Sequence, residues 1–208
     1  MSKQSLSIII TLALSIFIFS KCDQSKSSES GNKKDSTLVS NTPNYRGYES
    51  QVKWGEHLVT IGGCNDCHTP KKMGAAGPEP DLSLTLSGHP SQMPAPDIDR
   101  KELESKGLFA SNDLTAWVGP WGISYAANLT SDSTGIGNWK EDQFIYCLRN
   151  GKWMGLPDGR NLLPPMPWQG IGQMNDDELK AVFAYLKSIK PIHNIVPMPQ
   201  PPVLAMKK

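Results

Sequence analysis

The sequence lacks three features: a charge excess of either sign, an apolar run that would comfortably cross a bilayer, and abundant cysteine. Its 208 residues carry 21 Lys and Arg against 20 Asp and Glu, for a formal net charge of +1. Such a balanced charge does not indicate a polyanionic partner, and we expect no binding to nucleic acid. The chain is instead rich in residues that interrupt regular structure, with 18 Gly and 17 Pro. This composition predicts few helices and much irregular backbone.

The longest apolar run lies at residues 8–19, interrupted by Thr11 and Ser15 and preceded by Lys3. It is too short for a comfortable membrane span, and we predict a signal peptide at residues 1–21. Ser20, Lys21 and Cys22 resemble a relaxed bacterial lipobox, in which the cysteine is lipidated. The resemblance implies an exported protein, lipid-anchored to a membrane on the periplasmic side of the cell envelope. An ordinary signal peptide or an uncleaved anchor, with Cys22 incidental, is the alternative.

The residues after Cys22 are dominated by Ser, Lys, Asp and Asn. Such a segment buries too little apolar surface to offset the entropy lost on ordering. We therefore predict a lipidated cysteine and flexible tether at residues 22–48, a folded domain at 49–191 and a Pro-rich tail at 192–208.

The remaining cysteines determine the functional prediction. Cys64, Cys67 and His68 form C-x-x-C-H, the signature of covalent c-type haem attachment. Two thiols one helical turn apart lie on one helix face, where each can add across a haem vinyl group. The following histidine is carried beneath the macrocycle. We predict one covalent haem c, attached to Cys64 and Cys67, with His68 as an axial iron ligand.

Two other interpretations of the motif are weaker. A structural zinc site needs about four ligands, and Cys147 is the one further thiol once Cys22 is assigned to lipid. A thioredoxin-like redox pair is expected within a βαβ pattern. The residues before the motif instead repeat apolar side chains at helical spacing, from Val52 to Ile61.

The second axial ligand is predicted from a proline-flanked methionine. Met166 follows Pro164 and Pro165 and precedes Pro167. Prolines fix φ and stiffen the loop, which can then hold a thioether sulfur at iron. The alternative role of a methionine, filling a gap in the core, is the one we expect for Met154 and Met174.

Two helices are expected around this loop. The first follows Asn138 with Glu141 three residues later, which resembles a capping box, and would end near Arg149. Cys147 is expected to pack on this helix as a small apolar residue. The second repeats the signal at Asn175 and Glu178 and would end at residue 190, before Pro191.

Taken in order, these features resemble class I cytochrome c, in particular single-haem modules related to the cytochrome subunits of membrane dehydrogenases. Further matching phrases are 127–130 (ANLT), 135–139 (GIGNW), 148–151 (LRNG) and 184–187 (AYLK), and the resemblance covers roughly residues 50–191. It implies a mostly α, class I cytochrome c fold whose first and last helices cross near one haem edge.

The region between residues 70 and 135 is longer than in a minimal cytochrome, and long loops usually carry function or local structure. Residues 82–86 alternate like a strand, 115–117 and 123–125 could pair as a hairpin, and 99–106 could form a short helix. This loop-rich insertion is interpreted either as a small β-element over the haem or as a partner-binding surface.

An iron held by His and Met has no open position for substrate, and this ligation raises the reduction potential. We therefore predict electron transfer rather than catalysis, with a dehydrogenase, another cytochrome or a terminal oxidase as redox partner. Two alternatives stay open. One is a haem with a vacant site, as in a peroxidase-like or gas-binding protein, and the other is the electron-accepting subunit of a dehydrogenase complex.

Overall fold

The computed structural model describes residues 44–203 except Pro94, Pro96 and Leu108. Helices hold 36% of the described residues and strands 13%. The fold is therefore mixed, with helices and small sheets, where the sequence predicted a mostly α chain. The predicted signal peptide, Cys22 and most of the tether lie outside the described residues.

The helices and strands follow one another along the chain in alternating groups. In order they are α1 (Gln51–Ile61), α2 (Cys64–His68), β1 (Lys71–Gly74), β2 (Gly77–Pro80), a 3-10 turn (Leu82–Leu84), α3 (Arg100–Lys106), β3 (Phe109–Ala110), β4 (Ala116–Gly119), β5 (Gly122–Tyr125), α4 (Glu141–Asn150), a second 3-10 turn (Trp153–Gly155), α5 (Trp168–Ile171) and α6 (Asp176–Ser188). One antiparallel sheet pairs β1 with β2, and the other has the order β3-β4-β5. Among the described helices none is both long and apolar enough to cross a membrane.

The first and last helices pack directly on each other. Ser50 caps the start of helix α1, and its hydroxyl accepts a hydrogen bond from the Lys53 amide at 3.2 Å. Near its middle, a Cβ added at Gly55 would lie 1.9 Å from the Ala181 carbonyl oxygen of α6. The glycine therefore lets the two backbones approach closely. Around this crossing lies a core built from both helices and from α4, with Val59, Leu179 and Leu186 among its most buried side chains.

The start of α6 is confirmed at Asn175. Its side chain accepts from the Glu178 amide at 3.0 Å, and the Glu178 carboxylate accepts from the Asn175 amide at 2.7 Å. The predicted start of α4 at Asn138 is wrong. That helix begins at Glu141, because the Gln143 side chain accepts from the Lys140 amide at 3.4 Å and marks Lys140 as the boundary residue.

The predicted small β-element in the insertion is confirmed. Strands β4 and β5 pair across a tight turn. Asp99 caps the start of α3, and its carboxylate accepts from the Lys101 amide at 3.0 Å. The strand predicted at residues 82–86 is wrong. Asp81 accepts from the Ser83 amide at 3.0 Å and starts a 3-10 turn instead.

The segment after α6 returns along the insertion. Gln200 pairs with Ile123 of β5 as an antiparallel bridge. The buried Asn194 amide donates to the carbonyls of Ser87 at 2.7 Å and His89 at 2.9 Å. Much of the Pro-rich stretch is thus hydrogen-bonded to the insertion.

Candidate haem-binding site

The C-x-x-C-H sequence forms its own short helix, α2, directly after a glycine pair. Gly63 adopts a left-handed φ of 67° and turns the chain from α1 into α2. Both thiols are free and half-buried. Burial raises the pKa of Cys64 to about 11 and also raises the pKa of Cys67. The two sulfurs are therefore held as neutral thiols, one helical turn apart.

The His68 side chain is buried and its orientation is fixed by the backbone. Its Nδ1 lies 2.7 Å from the carbonyl oxygen of Ala127. Because a carbonyl can only accept, Nδ1 carries the proton and Nε2 presents its lone pair. Burial lowers the pKa of His68, which favours this neutral form. Metal-binding histidines use this arrangement, in which the second ring nitrogen donates to a fixed acceptor.

An apolar cavity of about 190 Å³ opens beside α2. It is lined by β4 and β5, by α4, and by the loops on either side of α4; the apolar side chains lining it include Trp117, Leu129, Ile136, Phe144, Leu148 and Ile171. Cys147 of α4 also faces it as a buried thiol, whose pKa burial raises to about 11. A neutral thiol in these surroundings packs as a small apolar residue, the role that the sequence predicts for it.

Met166 lines the same cavity as Cys64, Cys67 and His68. It follows a cis Pro164–Pro165 peptide, and the Ser124 hydroxyl of β5 donates to the Pro164 carbonyl at 2.6 Å. The loop is thereby tied to the sheet. Among the methionines that the structure describes, Met166 alone borders the cavity.

Met154, Met174 and the three other described histidines do not border the cavity. Met174 packs on the hydrophobic core as expected, whereas Met154 is 39% exposed, so the core position predicted for it is wrong. His57 and His193 are exposed, and the buried His89 bonds Thr115.

The donor set fits a haem c. Two thiols, a neutral imidazole and a thioether border one apolar cavity, and these are the groups that c-type haem attachment and His/Met ligation require. One further contributor, the Ala127 carbonyl, was not predicted from the sequence. Ala127 lies 59 positions from His68, and no local pattern indicates this contact.

Comparison with known proteins supports a relationship to dehydrogenase cytochrome subunits. The chain is 28% identical over 153 residues to the gluconate 2-dehydrogenase cytochrome c subunit of Pantoea cypripedii, covering 73% of this chain and 25% of that protein. It is 35% identical over 85 residues to the fructose dehydrogenase cytochrome subunit of Gluconobacter japonicus, covering 40% and 17%. It is 27% identical over 146 residues to the cytochrome c subunit of a quinone-type alcohol dehydrogenase of Gluconobacter oxydans, covering 69% and 23%.

The chain thus spans a quarter or less of these curated relatives. No protein-family model matches it.

Proposed function

We propose that this chain is an exported electron-transfer cytochrome with one covalent haem c. Cys64 and Cys67 would form the thioether links, and His68 and Met166 would be the axial iron ligands. The observation that carries the proposal is that these four side chains border one apolar cavity. The electron-transfer role draws further support from the similarity to cytochrome subunits of dehydrogenases.

The bound haem would supply one-electron chemistry, and the protein would set the conditions for it. The Ala127 carbonyl holds the His68 ring in the tautomer whose Nε2 can bind iron. The proline loop keeps the Met166 sulfur at the cavity wall. Apolar walls exclude water and lower the local dielectric, which together with Met ligation favours a high potential.

We propose a dehydrogenase as the electron donor, and another cytochrome or a terminal oxidase as the acceptor. The names of the similar proteins support the first partner. The cytochrome domain would occupy residues 49–191. Both axial positions would be filled, so the chain would carry electrons without being an enzyme by itself.

The test begins with mass spectrometry of the denatured protein, made in a host that matures c-type cytochromes. We expect one haem per chain, still attached. The oxidised protein should then show the weak near-infrared band of a thioether bound to ferric haem, and Met166→Ala should abolish it. Met154→Ala and Met174→Ala are matched controls, since neither side chain lines the cavity. A band that survives Met166→Ala would overturn the ligand assignment, and ready carbon monoxide binding by the wild type would favour an open-site haem protein.

We also propose that residues 1–21 are a signal peptide and that Cys22 is lipidated, which would tether the domain at the periplasmic face of a membrane. The support is the apolar run that ends just before Cys22. Labelling with a tagged fatty acid should mark the wild type, and Cys22→Ser should release the protein from membranes. A wild type that takes up no label would remove this anchor and leave the haem proposal unaffected.

A further inference from the structure

Arg160 brings a permanent positive charge to the cavity that is otherwise lined by uncharged groups. Among the described residues that border the cavity it is the one with a fixed formal charge. The others are apolar, aromatic, glycine, proline or thiol side chains, with Ser124, Tyr125 and His68 as the polar members. Arg160 is half-buried, and the part of its guanidinium that faces these apolar surroundings is expected to have a polar or charged partner.

Protein groups use only part of the hydrogen-bonding capacity of this guanidinium. It stacks on the Trp153 ring, 4.2 Å from the centroid, and Nη1 donates to the Asn161 carbonyl at 3.0 Å. Its Nε is buried and has no hydrogen-bond partner among the described residues. Among the residues that the structure describes, no carboxylate lies at ion-pair distance from Arg160. Burial lowers the pKa of Arg160, which reflects the same missing compensation.

Hydrogen bonds fix the backbone around Arg160, and this restricts the positions that its side chain can take. The Trp153 amide donates to the Arg160 carbonyl at 2.9 Å, and Lys152 pairs with Asn161 as an antiparallel bridge. The Leu162 amide also donates to the Gly151 carbonyl at 2.7 Å. These bonds and the indole ring leave the guanidinium a small range of positions at the cavity wall.

We propose that Arg160 is the binding site for a propionate carboxylate of the haem. This inference rests on the proposed function, because the haem is what would bring a carboxylate into the cavity. A planar guanidinium offers fixed N–H donors that match a carboxylate, and such charge-assisted hydrogen bonds are stronger than neutral ones. The pairing would satisfy the free Nε and neutralise the lone cation in the cavity.

The experiment is redox-difference infrared spectroscopy of the haem-loaded protein with ¹³C in the propionate carboxyl groups. In the wild type the labelled signal should be that of an ionised, hydrogen-bonded carboxylate. Arg160→Gln should shift that band and convert part of it to the protonated acid, because loss of the cation raises the propionate pKa. The midpoint potential, flat in the wild type between about pH 5 and 8, should then depend on pH in the variant.

Lys152→Gln is the matched control. It removes one positive charge from the same loop, and its side chain does not border the cavity. It should leave the labelled band and the pH profile as in the wild type. Arg160→Lys keeps the positive charge but loses the planar set of N–H donors. Its midpoint potential should therefore stay independent of pH, while the labelled carboxylate band shifts. This second variant keeps the test decisive if Arg160→Gln fails to accumulate.

A labelled band that is the same in wild type, Arg160→Lys and Arg160→Gln would overturn the inference. A second result would also overturn it: the labelled band is unchanged in Arg160→Gln, and the midpoint potential of the wild type varies with chloride concentration. Arg160 would then bind an anion from solution instead. A wild-type protein without any haem would instead refute the proposed function.

Discussion

Gly88 holds the insertion against the backbone that orients His68, and its replacement by alanine should disturb both. It adopts a left-handed φ of +77°, and its amide donates to the His68 carbonyl at 2.8 Å. An added Cβ would lie 2.6 Å from the Ala126 carbonyl oxygen and 2.5 Å from the Ala127 carbonyl carbon. Backbone atoms cannot rotate away from such a contact. The Ala127 carbonyl that accepts from His68 Nδ1 must therefore move.

Two effects add in this variant. A left-handed φ costs a non-glycine residue about 1–2 kcal/mol, and overpacking costs about 1–3 kcal/mol. The lower conformational entropy of the unfolded variant offsets up to about 1 kcal/mol of this loss. We expect Gly88→Ala to lower the free energy of unfolding by about 1–5 kcal/mol, measured by urea denaturation. In the oxidised, haem-loaded protein, the hyperfine-shifted haem methyl resonances should also move, because they report the orientation of the axial imidazole.

Gly47→Ala is the control for backbone strain alone. Gly47 has a φ of +90°, and a Cβ added there meets no atom within 4 Å. The entropy of the unfolded chain is reduced here too, so we expect a loss of about 0–2 kcal/mol and unchanged haem methyl resonances. If Gly88→Ala and Gly47→Ala lose equal stability and neither shifts the resonances, contact with the 126–127 backbone does not orient His68.

Two further predictions concern the helix crossing and the insertion. Gly55→Ala should separate α1 from α6 and lower the free energy of unfolding by about 1–3 kcal/mol, whereas Gly170→Ala, where a Cβ meets no atom within 4 Å, should stay within about 0.5 kcal/mol of the wild type. Equal stability of the two variants would contradict the close crossing. His89 is 1% exposed and burial lowers its pKa although Asp113 opposes the shift. The unfolded chain then binds the proton first, so stability should fall as the pH drops below about 6.5. His89→Gln should flatten that pH dependence in urea titrations, and an unchanged slope would assign it to another group.

The parts of the fold that the sequence predicted correctly are those fixed by nearby residues. The reciprocal bonds of Asn175 and Glu178 are three positions apart, and a tight turn joins the predicted hairpin strands. The C-x-x-C-H helix is likewise local. Each of these signals depends on side chains and backbone within a few residues, which periodicity and capping rules describe.

The errors occurred where a local pattern met a competing contact. Residues 82–86 alternate like a strand, but Asp81 bonds the Ser83 amide and Thr69 bonds the Leu86 amide, so the segment turns. Asn138 has a capping sequence, yet α4 begins only at Glu141. The strand content was underestimated for a different reason, because β1 and β2 carry few strand-forming residues and give no local signal.

The part of the site that sequence reasoning could not provide depends on long-range contacts. The Ala127 carbonyl reaches His68 across 59 positions, and Arg160 becomes significant only because the cavity around it carries no other fixed charge among the residues described. Such facts follow from where the backbone runs, and a single sequence does not encode them in any short motif.

For the β4-β5 hairpin of the insertion, burial favours a wall of the cavity over a partner-binding surface. All four residues of β4 are buried, as are three of the four in β5. A surface that binds a partner would instead expose side chains from these strands. Tyr125 and the two alanines after it border the cavity, and β5 is held on its far side by the bridge from Ile123 to Gln200. The insertion therefore connects the returning C-terminal segment to the Ala127 carbonyl that accepts from His68 Nδ1. A change in β5 should accordingly alter the orientation of His68.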